Sequence, residues 1–453
     1  MQYRTLDPNT GELVESYPTP DEREVEKALE RAASGFSIWR HSKLSERRHL
    51  LLRIAALLEE RATELAKTMA LEMGKPLAEG EAEAKKCAWV CRYYAEEGEG
   101  FLEPKDYESD GSRAFLRFDP LGPILAIMPW NFPLWQVFRF LAPALTAGNV
   151  AVLKHAPSVP RSALAIGTLL EDAEASKGLF QNLFLTNEQA AKVMADPRIR
   201  GVTLTGSARA GKEIGSIAGA RLKPLVMELG GSDPFIVFED ADIDQAAEIG
   251  ALSRCINSGQ SCIAAKRFVV HSTVLREFVD RFVEQIKMRR VGDPMDRTVQ
   301  IGPLARADLR DELDRQVRAS VEKGAETWFE AEAPDRGFFY PPTVLTNVPE
   351  DTPARVEELF GPVAVLVPFA TEDEALAIAN QTAFGLGASL WTENEERAER
   401  LVPEIEAGAV FVNGLVKSDP RLPFGGIKES GYGRELGQEG LLEFVNRKTV
   451  WIR

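Results

Sequence analysis

From residue 119 onward, short apolar runs of strand length alternate with longer stretches of helical spacing. Residues 124–128 lead into a helical pattern over 132–147, 150–153 into 161–171, and 201–204 into 210–220, with a further apolar run at 225–227. Strands linked through helices pair in parallel, and the right-handed crossover lays the helices on the faces of the sheet. The sequence therefore predicts an α/β unit whose ligand lies beyond the carboxyl ends of its strands.

A second α/β stretch begins near Phe235, with strands expected at 267–270, 364–369 and 409–413 and a charged helix at 308–323. Ahead of both, Ile54, Leu57, Leu58, Leu65 and Met69 recur at helical spacing within residues 21–99, with a break at Gly74-Lys75-Pro76. The chain has 453 residues, 44% of them hydrophobic, enough for two or three domains with sizeable cores.

A formal net charge of −15 disfavours nucleic acid and anionic membrane surfaces as partners. The apolar region 121–153 is punctuated by Pro123, Pro129, Pro133 and Pro143 and carries Arg139, which argues against a membrane span. The N-terminus has no basic stretch leading into an apolar run, so no secretory signal is expected. Four cysteines in a chain this long suit a reducing, cytoplasmic compartment, with Cys87 and Cys91 packed on a buried helix face. With four histidines and no metal-ligand spacing, no metal is expected.

Chemistry-bearing residues fall in a few motifs. Cys262 ends Asn257-Ser258-Gly259-Gln260-Ser261-Cys262, and Glu228 lies upstream in Met227-Glu228-Leu229-Gly230-Gly231. A thiol and a carboxylate supply what a covalent thioester cycle needs, a nucleophile and a base to activate the water that clears it. Read alone, Cys262 is as readily a packed thiol and Glu228 a strand-end acid. The strict G-x-G-x-x-G fingerprint is absent; instead Thr205-Gly206-Ser207 follows a strand and opens a helix whose free amides suit a pyrophosphate, although a plain cap by Ser207 explains the same letters. Lys154 sits at a strand end, where it meets a ribose or phosphate, or simply solvent. Asn131, between Pro129-Trp130 and Phe132-Pro133, reads as a rigid amide donor for an oxyanion, worth on the order of 3 kcal/mol, or as a turn former. Glu357-Glu358-Leu359-Phe360-Gly361-Pro362 and the glycine-rich run from Pro423 to Glu435 complete the set.

Taken in order, these motifs resemble the aldehyde dehydrogenase superfamily over nearly the whole length, from about Asp7 to Trp451. The resemblance implies a Rossmann-type cofactor domain (1–108 and 120–230), an α/β catalytic domain (231–430) and a small β oligomerisation segment (109–119 and 441–453). In that segment, residues 113–118 would pair with 448–452 and bridge subunits in a homodimer or homotetramer. It also implies that Cys262 attacks an aldehyde, that Asn131 and the Cys262 N–H hold the oxyanion, that hydride passes to a nicotinamide cofactor, and that Glu228 activates the deacylating water. Trp130, Lys154, Gly206, Ser207, Leu229, Glu358 and Phe360 would surround the cofactor, with Glu358 on the nicotinamide ribose. Members strict for NAD often carry Glu three residues after the strand-end Lys; here that residue is Pro157, so NADP is expected to be accepted as well as NAD.

Arg139, a cation in an apolar helix, needs a partner, either a substrate carboxylate or an internal acid. Its placement resembles the branch that oxidises succinate semialdehyde, in which Ser418 would be a second donor to the carboxylate. Two departures stand out: a further Arg expected six residues before the nucleophile is Ile256, with Arg254 nearby, and a second Cys two residues after it is Ala264. Glutarate semialdehyde or a broad range of aldehydes also fits the sequence. A CoA-acylating enzyme is disfavoured by Glu228, and an inactive binding protein by the intact Cys262, Asn131 and Glu228.

Overall fold

A computed structural model describes residues 2–453 as two twisted sheets covered by helices, with smaller β pieces attached. The first sheet has six strands in the order Gly431–Tyr432, Leu225–Glu228, Gly201–Thr205, Pro123–Ile127, Val150–Lys154 and Phe180–Asn182. All pair in parallel except Gly431–Tyr432, which runs antiparallel to Leu225–Glu228. The expected strands and helices are thus found within a few residues of their predicted ends, for example Trp135–Ala147, Pro160–Asp172 and Ala208–Ala220. Phe180–Asn182 and the helix Asn187–Ala195 went unpredicted, because a three-residue strand and a short polar helix leave little periodicity to read.

The second sheet has seven strands, in the order Glu326–Glu330, Thr343–Thr346, Val363–Phe369, Ala265–His271, Asp233–Val237, Gly387–Trp391 and Ala409–Val412. Only the edge strand Glu326–Glu330 is antiparallel. Both sheets are buried on two faces, so their central strands read as continuous apolar runs, as in Val363–Phe369. The first core is closed by the N-terminal helices Leu44–Glu60 and Leu77–Phe101, where Cys87 and Cys91 are fully buried.

Arg113–Pro120 pairs antiparallel with Val445–Ile452 along its whole length, and Lys105–Tyr107 adds a third strand. Both outer strands are largely exposed. Among the described residues no helix is long and apolar enough to cross a membrane.

Candidate active site

In the six-stranded sheet the chain moves to one side after Pro123–Ile127 and to the other at Gly201–Thr205, so the sheet has a switch point between them, where a crevice opens at the carboxyl ends. Pro123–Ile127 delivers Trp130 and Asn131 there, Val150–Lys154 delivers Lys154, Gly201–Thr205 leads into Gly206 and Ser207, and Leu225–Glu228 ends on Glu228 and Leu229. Facing this edge are segments that enter the second sheet: Cys262 just before Ala265–His271, and Glu358 and Phe360 before Val363–Phe369.

Glycines allow the two sides to meet. A Cβ on Gly231 would stand 2.7 Å from the Cys262 carbonyl oxygen, and one on Gly230 would stand 2.5 Å from Glu358 Oε2. The Gly231 N–H donates to Glu358 Oε1 at 3.0 Å, and Trp130 meets Phe360 edge-on at 5.7 Å between ring centroids.

The loop that carries Cys262 is strained and tightly held. After the helix Ile243–Cys255 the backbone takes left-handed conformations at Asn257, Ser258 and Gly259 in succession, with φ of 54°, 55° and 77°. Such geometry costs about 1–3 kcal/mol per non-glycine residue and persists only where its surroundings enforce it. Here Asn257 Nδ2 donates to the carbonyls of Asn131 (2.8 Å) and Gln260 (3.1 Å), and Gln260 Oε1 accepts from the Ala305 N–H. Arg254 donates to the Gly259 carbonyl at 2.7 Å, so this residue holds the loop from within. Lys266 donates to the carbonyls of Ser261, Cys262 and Ala264 at 3.0, 2.7 and 3.2 Å.

Burial pushes the Cys262 thiol up to about 12, against the pull of Lys266 and Arg139, so at neutral pH it rests protonated. Asn131 Nδ2 uses one hydrogen on the Gln260 carbonyl at 3.1 Å, leaving the second free, and the Cys262 N–H has no acceptor among the described residues.

Glu228 lies in a different setting. It is buried, and neither carboxylate oxygen has a hydrogen-bond partner among the described residues. Oε1 lies against Gly425, where a Cβ would approach to 2.8 Å. Burial raises its pKa well above the usual carboxylate range; Arg139 and Arg434 oppose the rise and Glu435 adds to it. Glu228 does not line the cavity that holds Cys262.

The crevice fits a nicotinamide dinucleotide. Gly206 has an ordinary φ, and a Cβ there would meet nothing closer than Leu204 Cδ1 at 3.5 Å, so neither conformation nor packing of the chain requires glycine. What it leaves is open room at the N-terminus of Ala208–Ala220, where an anion is favoured. Ser207 does cap that helix, accepting from the Ala210 N–H at 3.3 Å, so the cap reading also holds. Gly211 is different, since a Cβ there would strike Leu229 at 2.5 Å. Lys154 is buried without an ion pair among the described residues, and burial lowers its pKa to about 8. Glu358 is engaged by Gly231 N–H and lies 3.7 Å from Lys266.

A cavity of about 190 Å³ opens at Cys262, lined also by Phe132, Trp135, Arg139, Ser418 and Phe424. Arg139 is fully buried there, ion-paired with Glu435, 3.3 Å from Thr205 Oγ1 and 4.9 Å over the Phe424 ring. Of its two predicted partners, the internal acid is the one observed. Ser418 Oγ accepts from Trp135 Nε1 at 3.0 Å and from Lys86 Nζ at 2.8 Å. With both lone pairs engaged, its own O–H remains to donate.

Sequence reasoning missed Lys75, Glu83, Lys86, Lys266 and Glu435. Glu83 accepts from the Leu134 and Trp135 N–H groups at 2.9 Å each and pairs with buried Lys75, fixing the turn that carries Asn131. One signal is available in the sequence: Glu83 shares a helix face with Cys87, which the sequence places on a buried face.

The aldehyde dehydrogenase family model matches residues 1–450. The chain is 49% identical over 453 residues, all of both chains, to a probable succinate-semialdehyde dehydrogenase [NADP(+)] of Synechocystis sp.. It is 48% identical over 457 residues, all of this chain and 97% of the other, to a succinate-semialdehyde dehydrogenase [NADP(+)] of Mycobacterium avium. The crystal structure of succinic semialdehyde dehydrogenase from Streptococcus pyogenes in complex with NADP+ superposes with a TM-score of 0.97 at 38% identity, covering 99% of each chain. This chain belongs to the aldehyde dehydrogenase family.

Proposed function

We propose that the protein oxidises succinate semialdehyde to succinate with NADP. The observation that carries this is the cavity at Cys262, which joins a nucleophile to a wall where the Ser418 hydroxyl is left to donate and cations outnumber free acids. The names of the Synechocystis and Mycobacterium relatives and of the Streptococcus structure support the same substrate and cofactor.

Cys262 attacks the aldehyde carbon as its thiolate, the thiol proton passing to water in the open cavity, and the oxyanion is held by Asn131 Nδ2 and the Cys262 N–H. When bound, NADP supplies the acceptor for the hydride. Trp130, Lys154, Gly206, Ser207, Leu229, Glu358 and Phe360 would hold it, and Pro157 presents no carboxylate to a 2′-phosphate. Glu228 then activates the water that hydrolyses the thioester on Cys262. Ser418 donates to the distal carboxylate, and Arg139, ion-paired with Glu435, adds its field from behind.

The first sheet with the N-terminal helices serves as the cofactor domain and the second as the catalytic domain. The exposed three-stranded sheet, too small to be stable on its own, is the segment through which copies associate in a homodimer or homotetramer. Four free cysteines suit the cytoplasm.

Steady-state rates for succinate semialdehyde, glutarate semialdehyde and butanal, each with NADP and NAD, test the reading. The expected result is the highest kcat/KM for succinate semialdehyde with NADP. A preference for butanal would overturn the substrate.

A further inference from the structure

Three cations line the cavity that holds Cys262: Lys86, Arg139 and Lys417. Arg139 is ion-paired with Glu435 and hydrogen-bonded toward Thr205. Lys417 is exposed, where water and salt weaken its pull. Lys86 differs from both: it is partly buried, its ammonium stands 4.2 Å from the Trp135 ring centroid and donates to Ser418 Oγ at 2.8 Å, and no carboxylate pairs with it among the described residues. The acids around it are engaged elsewhere, Glu83 with Lys75 and the Leu134 and Trp135 amides, Asp419 with Arg421, and Glu79, which also lines the cavity, with the Asn257 N–H at 2.7 Å.

A cation drawn out of water without a counter-ion is an unfavourable arrangement unless one arrives with a ligand. We propose that Lys86 is the direct ion partner of the aldehyde's distal carboxylate, paired with the Ser418 O–H, and so the residue that sets specificity for carboxylated aldehydes. This rests on the substrate reading above and sharpens it, moving the direct contact from Arg139 to a helix that the site motifs do not include. The two groups sit on separate elements, Lys86 on Leu77–Phe101 and Ser418 on the loop before Phe424, and meet at 2.8 Å, so the ammonium and the Ser418 O–H present two donors side by side to one carboxylate. An uncharged aldehyde gains nothing from that pair.

The test compares Lys86→Met and Lys86→Arg with the unchanged enzyme on succinate semialdehyde and butanal. Lys86→Met is expected to lower the ratio of the two kcat/KM values about 10- to 100-fold, mainly through KM, whereas Lys86→Arg keeps the ratio within about threefold. Equal losses on both substrates, or an unaltered ratio in Lys86→Met, would overturn the role of Lys86 alone. Absence of any preference for succinate semialdehyde in the unchanged enzyme would instead overturn the substrate reading on which it rests.

Discussion

The loop that carries Cys262 is held by Arg254, Lys266, Asn257 and Gln260, whereas the buried carboxylate of Glu228 accepts no hydrogen bond among the described residues. The difference suits the roles proposed for the two groups. A nucleophile that attacks a bound carbon gains from a fixed position, since misplacement of about 1 Å costs on the order of 100-fold in rate. A base that acts only after the first product has formed gains from being unengaged, because hydrogen bonds to its charged form would lower its pKa and weaken it. The site thus places rigidity and unsatisfied polarity in separate places, on opposite sides of Gly230-Gly231.

Removing the reacting atoms breaks that comparison most sharply. Cys262→Ala is expected to lower kcat by at least about 10⁴-fold while the fold persists, because the side chain makes no hydrogen bond that the loop depends on. Glu228→Gln should lower steady-state turnover by about 10²- to 10⁴-fold and still release close to one equivalent of reduced cofactor in a rapid first turnover, with acyl groups trapped on Cys262. Rapid-mixing absorbance and intact mass measure both. A Glu228→Gln enzyme without that burst would place Glu228 before thioester formation instead of after it.

The next expected effect tests whether the loop is rigid because it is strained and enclosed. In Gly259→Ala a Cβ would meet the Gly361 carbonyl carbon at 2.3 Å on a residue with φ of 77°. A loss of about 3 kcal/mol or more in unfolding free energy is expected from denaturant titration. Lys266→Met should be milder, because it leaves three carbonyls short of one donor. About 10-fold in kcat with little change in KM is expected, the signature of a positioning residue. If KM rises instead, Lys266 acts on the substrate and the loop is held by the other contacts.

How much of this contrast was legible in the sequence differs between its two halves. Cys262, Asn131 and Glu228 announce themselves through motifs, and the strands that deliver them follow from alternating apolar and helical patterns. The partners that fix the loop do not. Arg254 stands out in the sequence only as the neighbour of the position where a further Arg is expected, and Lys266 reads as an ordinary charge near a strand, because nothing in their spacing reveals that the chain turns left-handed at Asn257 and brings three carbonyls to one ammonium. Arg139 was legible as a buried cation needing a counter-ion, but its partner Glu435 lies almost 300 residues away in a run whose glycines drew attention instead. Pairing across such a distance is a property of the folded topology and leaves no local pattern. Lys86 escaped for a related reason: a lysine among charged helix residues reads as solvated until the opposing loop supplies Ser418 and a cavity.

The smallest expected effect bears on the cost of leaving Glu228 unengaged. Burial raises its folded pKa above the unfolded value of 4.5. At pH values between the two, the folded chain keeps a proton that the unfolded chain has released, so this group's contribution to stability is lost as pH rises through that window. Glu228→Gln has no proton to lose and keeps nearly the same shape. Its Tm should therefore match that of the unchanged protein near pH 4.5 and exceed it by about 1–3 °C at pH 8. Scanning calorimetry at several pH values reads the trend directly. A gain that grows with pH, in a variant whose turnover has collapsed, means that the proposed base is kept buried and unengaged at the expense of stability and loses its proton before it acts; a pH-independent difference would mean that Arg139 and Arg434 already keep the carboxylate ionised in the resting protein.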